Sequence, residues 1–140
     1  MLHTLLVSFL FISLPSLESD IVSLQKALDN KAQYDMTKEQ TIEKLRNNRE
    51  PVQLYEAYNS YCYDSAYHYA QECVMLSDRT DDCNQKADAR LKMAYTYLSG
   101  GLFQEAESVL NGINLHGVNT HIQMGYYSQR GQLLYNVARY

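Results

Sequence analysis

The chain has 140 residues, 12 Lys+Arg against 16 Asp+Glu for a formal charge of −4, three Cys, no Trp, and 13 Tyr beside three Phe. An acidic balance without a basic stripe excludes a phosphate-tracking surface, so direct nucleic-acid binding is not expected. Six Gly, none before Gly100, and prolines only at Pro15 and Pro51 exclude a sheet protein, whose turns need such residues roughly every 8–12 positions, and the expected class is all-α.

Residues 1–19 hold an apolar centre, Leu5–Leu14, of the length of a signal-peptide core and too short to cross a ~30 Å hydrocarbon layer. A signal peptide and an exported, periplasmic chain are the expectation. Its amino-terminal flank has His3 but no Lys or Arg, which leaves a buried N-terminal helix as the alternative. Residues 20–48 are charged, with apolar positions Ile21, Leu24, Leu28, Ile42 and Leu45 at helical steps. Six acidic and six basic residues between Asp20 and Glu50 describe a solvated helix face. Thr37-Lys-Glu-Gln40 has the form of a capping box and predicts a break into two helices.

From 49 to 140 the apolar pattern repeats. Tyr63, Ala66, Ala70 and Cys73 follow the same steps as Phe103, Ala106, Leu110 and Ile113, 40 residues later. A further helical stretch precedes each set: Pro51–Ser60 with Leu54, Ala57 and Tyr58, then 82–99 with Ala87, Leu91, Ala94 and Leu98, closed by Gly100-Gly101 as left-handed terminators. The predicted units are helical hairpins at 49–78 and 82–115, followed by an incomplete unit at 119–140 that carries Met124, Tyr127, Gly131, Leu134 and Ala138 on one face. No return helix follows in this sequence, so the third helix lacks half its cover. Either the chain pairs with another molecule there, or it is the front part of a longer protein; the second reading is preferred.

These residues resemble the tetratricopeptide repeat, a helix–turn–helix unit with small residues where its helices touch and aromatics beside the turn. The second unit matches with Ala94, Tyr97, Gly101, Phe103, Ala106 and Leu110, the first with Tyr63, Ala66 and Cys73, and the third with Gly131, Leu134, Ala138 and Tyr140. The resemblance implies a right-handed solenoid of about two and a half repeats preceded by a charged helix. It also implies repeat packing by Tyr63, Ala66, Ala70, Cys73, Ala94, Tyr97, Phe103, Ala106, Leu110, Gly131 and Leu134. The order of apolar leader, the stretch Leu28–Tyr34 through Ile42–Leu45, then Leu54-Tyr55 and Asp64–Ala66 looks like the start of exported repeat proteins of Bacteroidetes. That likeness implies a longer regulatory or sensor parent, with a membrane helix, a coiled coil and a cytoplasmic domain beyond this sequence, and contact with the membrane only through those parts.

In such repeats the first helices line a concave groove. Mapping its steps onto this sequence selects Tyr55, Tyr58 and Asn59, then Tyr95, Leu98 and Ser99, then Gln132, Tyr135 and Asn136, an uncharged Tyr/Asn groove suited to an extended peptide. A peptide or protein partner, including a second copy of the chain, is expected; the alternative function is a self-associating assembly module with no ligand groove. Lys92 is the one remnant of a carboxylate-holding set, and a solvated Lys explains it equally well. No catalytic, metal or cofactor motif is present: His68, His116 and His121 have no spacing that puts two of them on one helix face beside a carboxylate, and the chain is read as non-enzymatic. Cys62 would be a nucleophile only beside a His. Cys62, Cys73 and Cys83, at spacings of 11 and 10, form no zinc pattern and read as small buried residues, with a Cys73–Cys83 bridge as the alternative.

Overall fold

A computed structural model describes residues 2–48 and 50–139, with side chains from Glu18 onward. The side chains of residues 1–17, on which the signal-peptide reading rests, lie outside the described residues. Among the described residues six helices follow one another: α1 Leu2–Asn48, α2 Pro51–Tyr58, α3 Tyr63–Ser77, α4 Cys83–Ser99, α5 Phe103–Asn111 and α6 Thr120–Arg139. There is no strand among the described residues, and none of the searched helices is long and apolar enough to cross a membrane. The chain divides into two compact units, residues 1–43 and 44–140.

The first unit is the greater part of α1, and it corrects the two-helix expectation. Thr37 does not cap: its hydroxyl donates to the Gln33 carbonyl one turn back at 2.9 Å, and Thr41 does the same to Thr37 at 2.9 Å. Both hydroxyls are satisfied inside a continuing helix, so nothing interrupts it. Its apolar residues are largely exposed, among them Ile21, Leu24, Leu28, Tyr34 and Met36.

In the second unit each helix packs on its neighbours in sequence, with α6 lying against both α4 and α5. Pro51 opens α2, where its missing N–H costs no hydrogen bond. Asp82 caps α4 by accepting from the N–H groups of Asn84 at 2.8 Å and Gln85 at 3.4 Å. Asn119 caps α6 through the Ile122 N–H at 3.0 Å, and its own N–H donates to Asn84 Oδ1 at 2.8 Å, which ties the starts of α4 and α6 together.

Small residues set the helix spacing. Ala94 on α4 and Ala106 on α5 are both fully buried, and Leu110 and Leu98 fill the space beside them in a core that continues through Leu91, Ile113, Val118, Ile122 and Leu133. Tyr97 and Phe103 pack on its edge, half-buried. A second cluster joins Tyr55 of α2 to Ala66 and Ala70 of α3, with Met93 of α4 against it. Cys73 is also buried, and all three cysteines are free thiols. The turn between α4 and α5 refines the glycine reading. Gly101 alone is left-handed, at φ +75°, whereas Gly100 leaves room for the Tyr63 ring, whose Cε2 would sit 2.6 Å from an added Cβ.

Two expected packing residues on α6 fall elsewhere. Leu134 is 64% exposed and Gly131 is also open to solvent, while Leu133, one residue earlier, is buried. The physical reason is geometric: the face carrying Gly131 and Leu134 is turned away from α4 and α5, where a return helix would lie in a complete hairpin.

Candidate functional site

The first helices of the three units converge on a cleft of about 250 Å³. Tyr55 and Asn59 enter it from α2 and the residue after it, Asp88, Leu91, Lys92 and Tyr95 from α4, and His121, Ile122, Gly125 and Gln129 from α6. The spacing on α4 is that of one helix face, steps of three and four from Asp88 through Tyr95. Gly125 admits Leu91 closely, since an added Cβ would stand 3.4 Å from Leu91 Cδ1.

The floor is held by hydrogen bonds to two successive α4 carbonyls. Tyr55 donates its hydroxyl to the Lys92 carbonyl at 3.1 Å, which also accepts from Thr96 at 2.9 Å. Gln129 donates from Nε2 to the Leu91 carbonyl at 3.1 Å, while its Oε1 is buried with no protein partner. Burial pushes the Tyr55 hydroxyl up to about 12, so it stays protonated and serves as a fixed donor. Lys92 is not a solvated side chain. Only 12% of it is exposed, its Nζ lies 2.6 Å from Asp88 Oδ2 and 3.7 Å from Glu56 Oε1, and it sits 5.8 Å from the Tyr55 ring centroid. The cleft is therefore not uncharged, as the sequence pattern suggested. Its cation is already matched by two carboxylates, which leaves no free positive charge at Lys92 for a peptide carboxylate.

Of the residues expected to line a groove, the structure brings Tyr55, Asn59 and Tyr95 together. Tyr55 is a floor residue, 3% exposed, whereas Tyr95 is 39% exposed and offers its ring. Tyr58 lies in a separate aromatic group, stacked on Tyr69 at 5.7 Å, 5.6 Å from Tyr61, and accepting from Arg46 Nη2 at 3.3 Å. Ser99 and Asn136 share a different hollow with the buried Leu98, and Gln132 and Tyr135 face outward on α6. Tyr135 accepts from Arg139 at 3.3 Å. Thus α6 contributes His121, Ile122, Gly125 and Gln129, roughly three turns earlier than the repeat mapping placed it. The sequence reading missed the Asp88–Lys92 pair, whose i and i+4 spacing on α4 is the signal that finds it, and the approach of Glu56 from α2, which has no local signal.

Cys62 stands at the start of α3 with Sγ 3.3 Å from Ser65 Oγ, and hydrogen bonding to Ser65 holds its thiol below the ordinary range. No His is among its hydrogen-bond partners. Cys73 is pushed the other way by burial, to about 11.

Stacked helical hairpins with buried alanines in their cores and a cleft along their first helices define a helical-repeat module of the tetratricopeptide class. Residues 28–140 match the family model of the SusR N-terminal TPR domain, SusR being a Bacteroidetes regulatory protein, and the chain belongs to that family. Comparison with curated proteins and with solved structures gave no match. Domains of this class are generally non-catalytic and mediate protein–protein interactions.

Proposed function

We propose that the chain is a non-enzymatic peptide- or protein-binding segment, exported to the periplasm, that serves as the sensor or scaffold portion of a longer signalling or transcription-regulatory protein. The observation that carries the binding role is the cleft between α2, α4 and α6, where Tyr95 offers an exposed aromatic face beside Asn59 and a neutralised Lys92. Tyr contributes contact area with few rotatable bonds, and Asn pairs with peptide N–H and C=O groups, a combination suited to an extended segment. Because Lys92 is taken by Asp88 and Glu56, the cleft favours the interior of a partner chain over a terminal carboxylate. The regulatory role is supported by the family's namesake.

The test is differential capture. Partners retained by the immobilised chain are compared with those retained by a Tyr95→Ala/Asn59→Ala variant and by a Glu107→Ala control on the outer surface of α5. Loss of a partner from the double variant alone assigns it to the cleft. Equal retention by all three removes the cleft from the function.

A further inference from the structure

The cleft between α2, α4 and α6 turns negative charge toward solvent even though its cation is matched. The Lys92 side chain is 12% exposed, whereas the two carboxylates that hold it, Asp88 and Glu56, are 46% and 59% exposed. A partner therefore meets the acids before the ammonium, and two carboxylates against one lysine leave an excess of one negative charge in the formal count with His uncharged. The two acids are not engaged alike. Asp88 Oδ2 accepts from Lys92 Nζ at 2.6 Å, while Glu56 Oε1 stands 3.7 Å from it, beyond hydrogen-bond reach, so the Glu56 oxygens keep their lone pairs for a donor from outside. On the α6 wall, Gln129 Oε1 is a further acceptor without a protein partner. The unmet hydrogen-bonding capacity of the cleft is thus on the acceptor side, and its lining residues include no Arg and no Lys besides Lys92.

Size and the aromatic wall narrow the occupant. A volume of about 250 Å³ is below the roughly 300–1,000 Å³ of pockets that enclose a drug-sized ligand, and it fits a single side chain of a segment laid across the helices. Tyr95, 39% exposed, offers a ring to a cation, and Lys92 already lies near the Tyr55 ring, 5.8 Å from its centroid. Resting on the cleft as a peptide site, we propose that it selects an arginine side chain of an extended partner segment, with the guanidinium over the Tyr95 ring and its N–H groups toward Glu56. Arginine is the donor-only side chain that meets both surfaces at once: its planar fork of five donors serves a carboxylate while its face stacks on a ring, and it is more weakly hydrated than the ammonium of lysine. An acidic side chain at the same place is repelled by Asp88 and Glu56.

Binding of acetyl-Ala-Ser-Arg-Ser-Ala-amide to the full 140-residue chain, followed by backbone amide shifts in nuclear magnetic resonance, tests the selection. The comparison peptides carry citrulline, the neutral isostere of arginine, or glutamate at the centre. Saturable shifts at Asn59, Lys92 and Tyr95 are expected with arginine, with citrulline weaker by roughly tenfold and glutamate weaker still. Glu56→Gln changes an exposed residue that makes no hydrogen bond among the described residues, so it should bring arginine down to the citrulline value with the rest of the spectrum unchanged. Equal binding of arginine and citrulline, or an arginine preference that survives Glu56→Gln, would overturn the selection and leave the cleft a peptide site. Absence of shifts with all three peptides would overturn it as well, and capture by the Tyr95→Ala/Asn59→Ala variant then decides the cleft separately.

Discussion

Helices α4 and α6 hold the same place in successive repeats, yet one is enclosed and the other is half bare. On α4 the small position is Ala94, at 0% exposure in the same core as Ala106 of α5, and Leu98 a turn later is 4% exposed. On α6 the corresponding small residue is Gly131, open to solvent, with Leu134 beside it at 64%. Both helices have one apolar face buried by an earlier repeat and a second face meant for a return helix. The difference teaches that in a solenoid a residue's burial is a property of the pair of helices, not of the residue: the same pattern is core where α5 covers it and surface where nothing does.

The comparison is sharpest at its leucines. Leu110→Ala, which empties a fully buried site on α5, should cost about 3 kcal/mol, whereas Leu134→Ala should change monomer stability by less than about 0.5 kcal/mol, both measured by urea unfolding. Equal losses would mean that the bare face is covered in the monomer after all. Capping gives a smaller effect: Asp82→Ala removes the acceptor for two N–H groups of α4 and should cost about 1 kcal/mol. Glycines give the smallest and change sign between the two regions. Gly101→Ala, at φ +75°, should destabilise by about 1 kcal/mol, while Gly131→Ala, in an unobstructed helix interior, should stabilise the monomer by about 0.5–1 kcal/mol.

Alkaline unfolding reports the enclosed side alone. Burial raises Cys73 from an ordinary 9.0 to about 11 and Tyr55 from 10.0 to about 12. In each case folding favours the protonated form, so the stabilisation is complete below pH 9 and is lost as pH rises through about 9–12. Cys73→Ala should remove the first part of that loss and Tyr55→Phe a share of the second, the rest belonging to Tyr97, which its hydrogen bond with Tyr67 and burial raise to about 12, as followed by circular dichroism across the range. An unaltered profile in both variants would show that other groups govern it.

The hairpins were legible because their signals are local. Steps of three and four, alanines at the crossings, Asp82 and Asn119 before helices, and Gly101 at a turn each state a backbone or packing preference within a few residues. The capping-box reading at Thr37 failed for an equally local reason. A threonine hydroxyl can bond back to its own helix as readily as it can start a new one, and the choice depends on whether the chain continues. The cleft was legible in part. Tyr55, Asn59 and Tyr95 belong to first helices, which the repeat pattern orders correctly. The pattern does not specify how far α6 slides along α4, and that register replaced Gln132 and Asn136 with Gln129 and His121.

By itself the sequence determined that this protein is all-helical, that its hairpins repeat, and where the helices of those hairpins start and turn, because those choices are made by neighbours within one or two turns of helix. Only the tertiary structure decided which tyrosine is a floor and which a rim, that Lys92 is already paired by Glu56 from another helix, and that Leu133 and not Leu134 is the buried leucine of α6. Those outcomes depend on the axial register and coverage of helices some 35–40 residues apart, as in the Tyr55–Lys92 and Gln129–Leu91 bonds, and no local spacing encodes the distance between them.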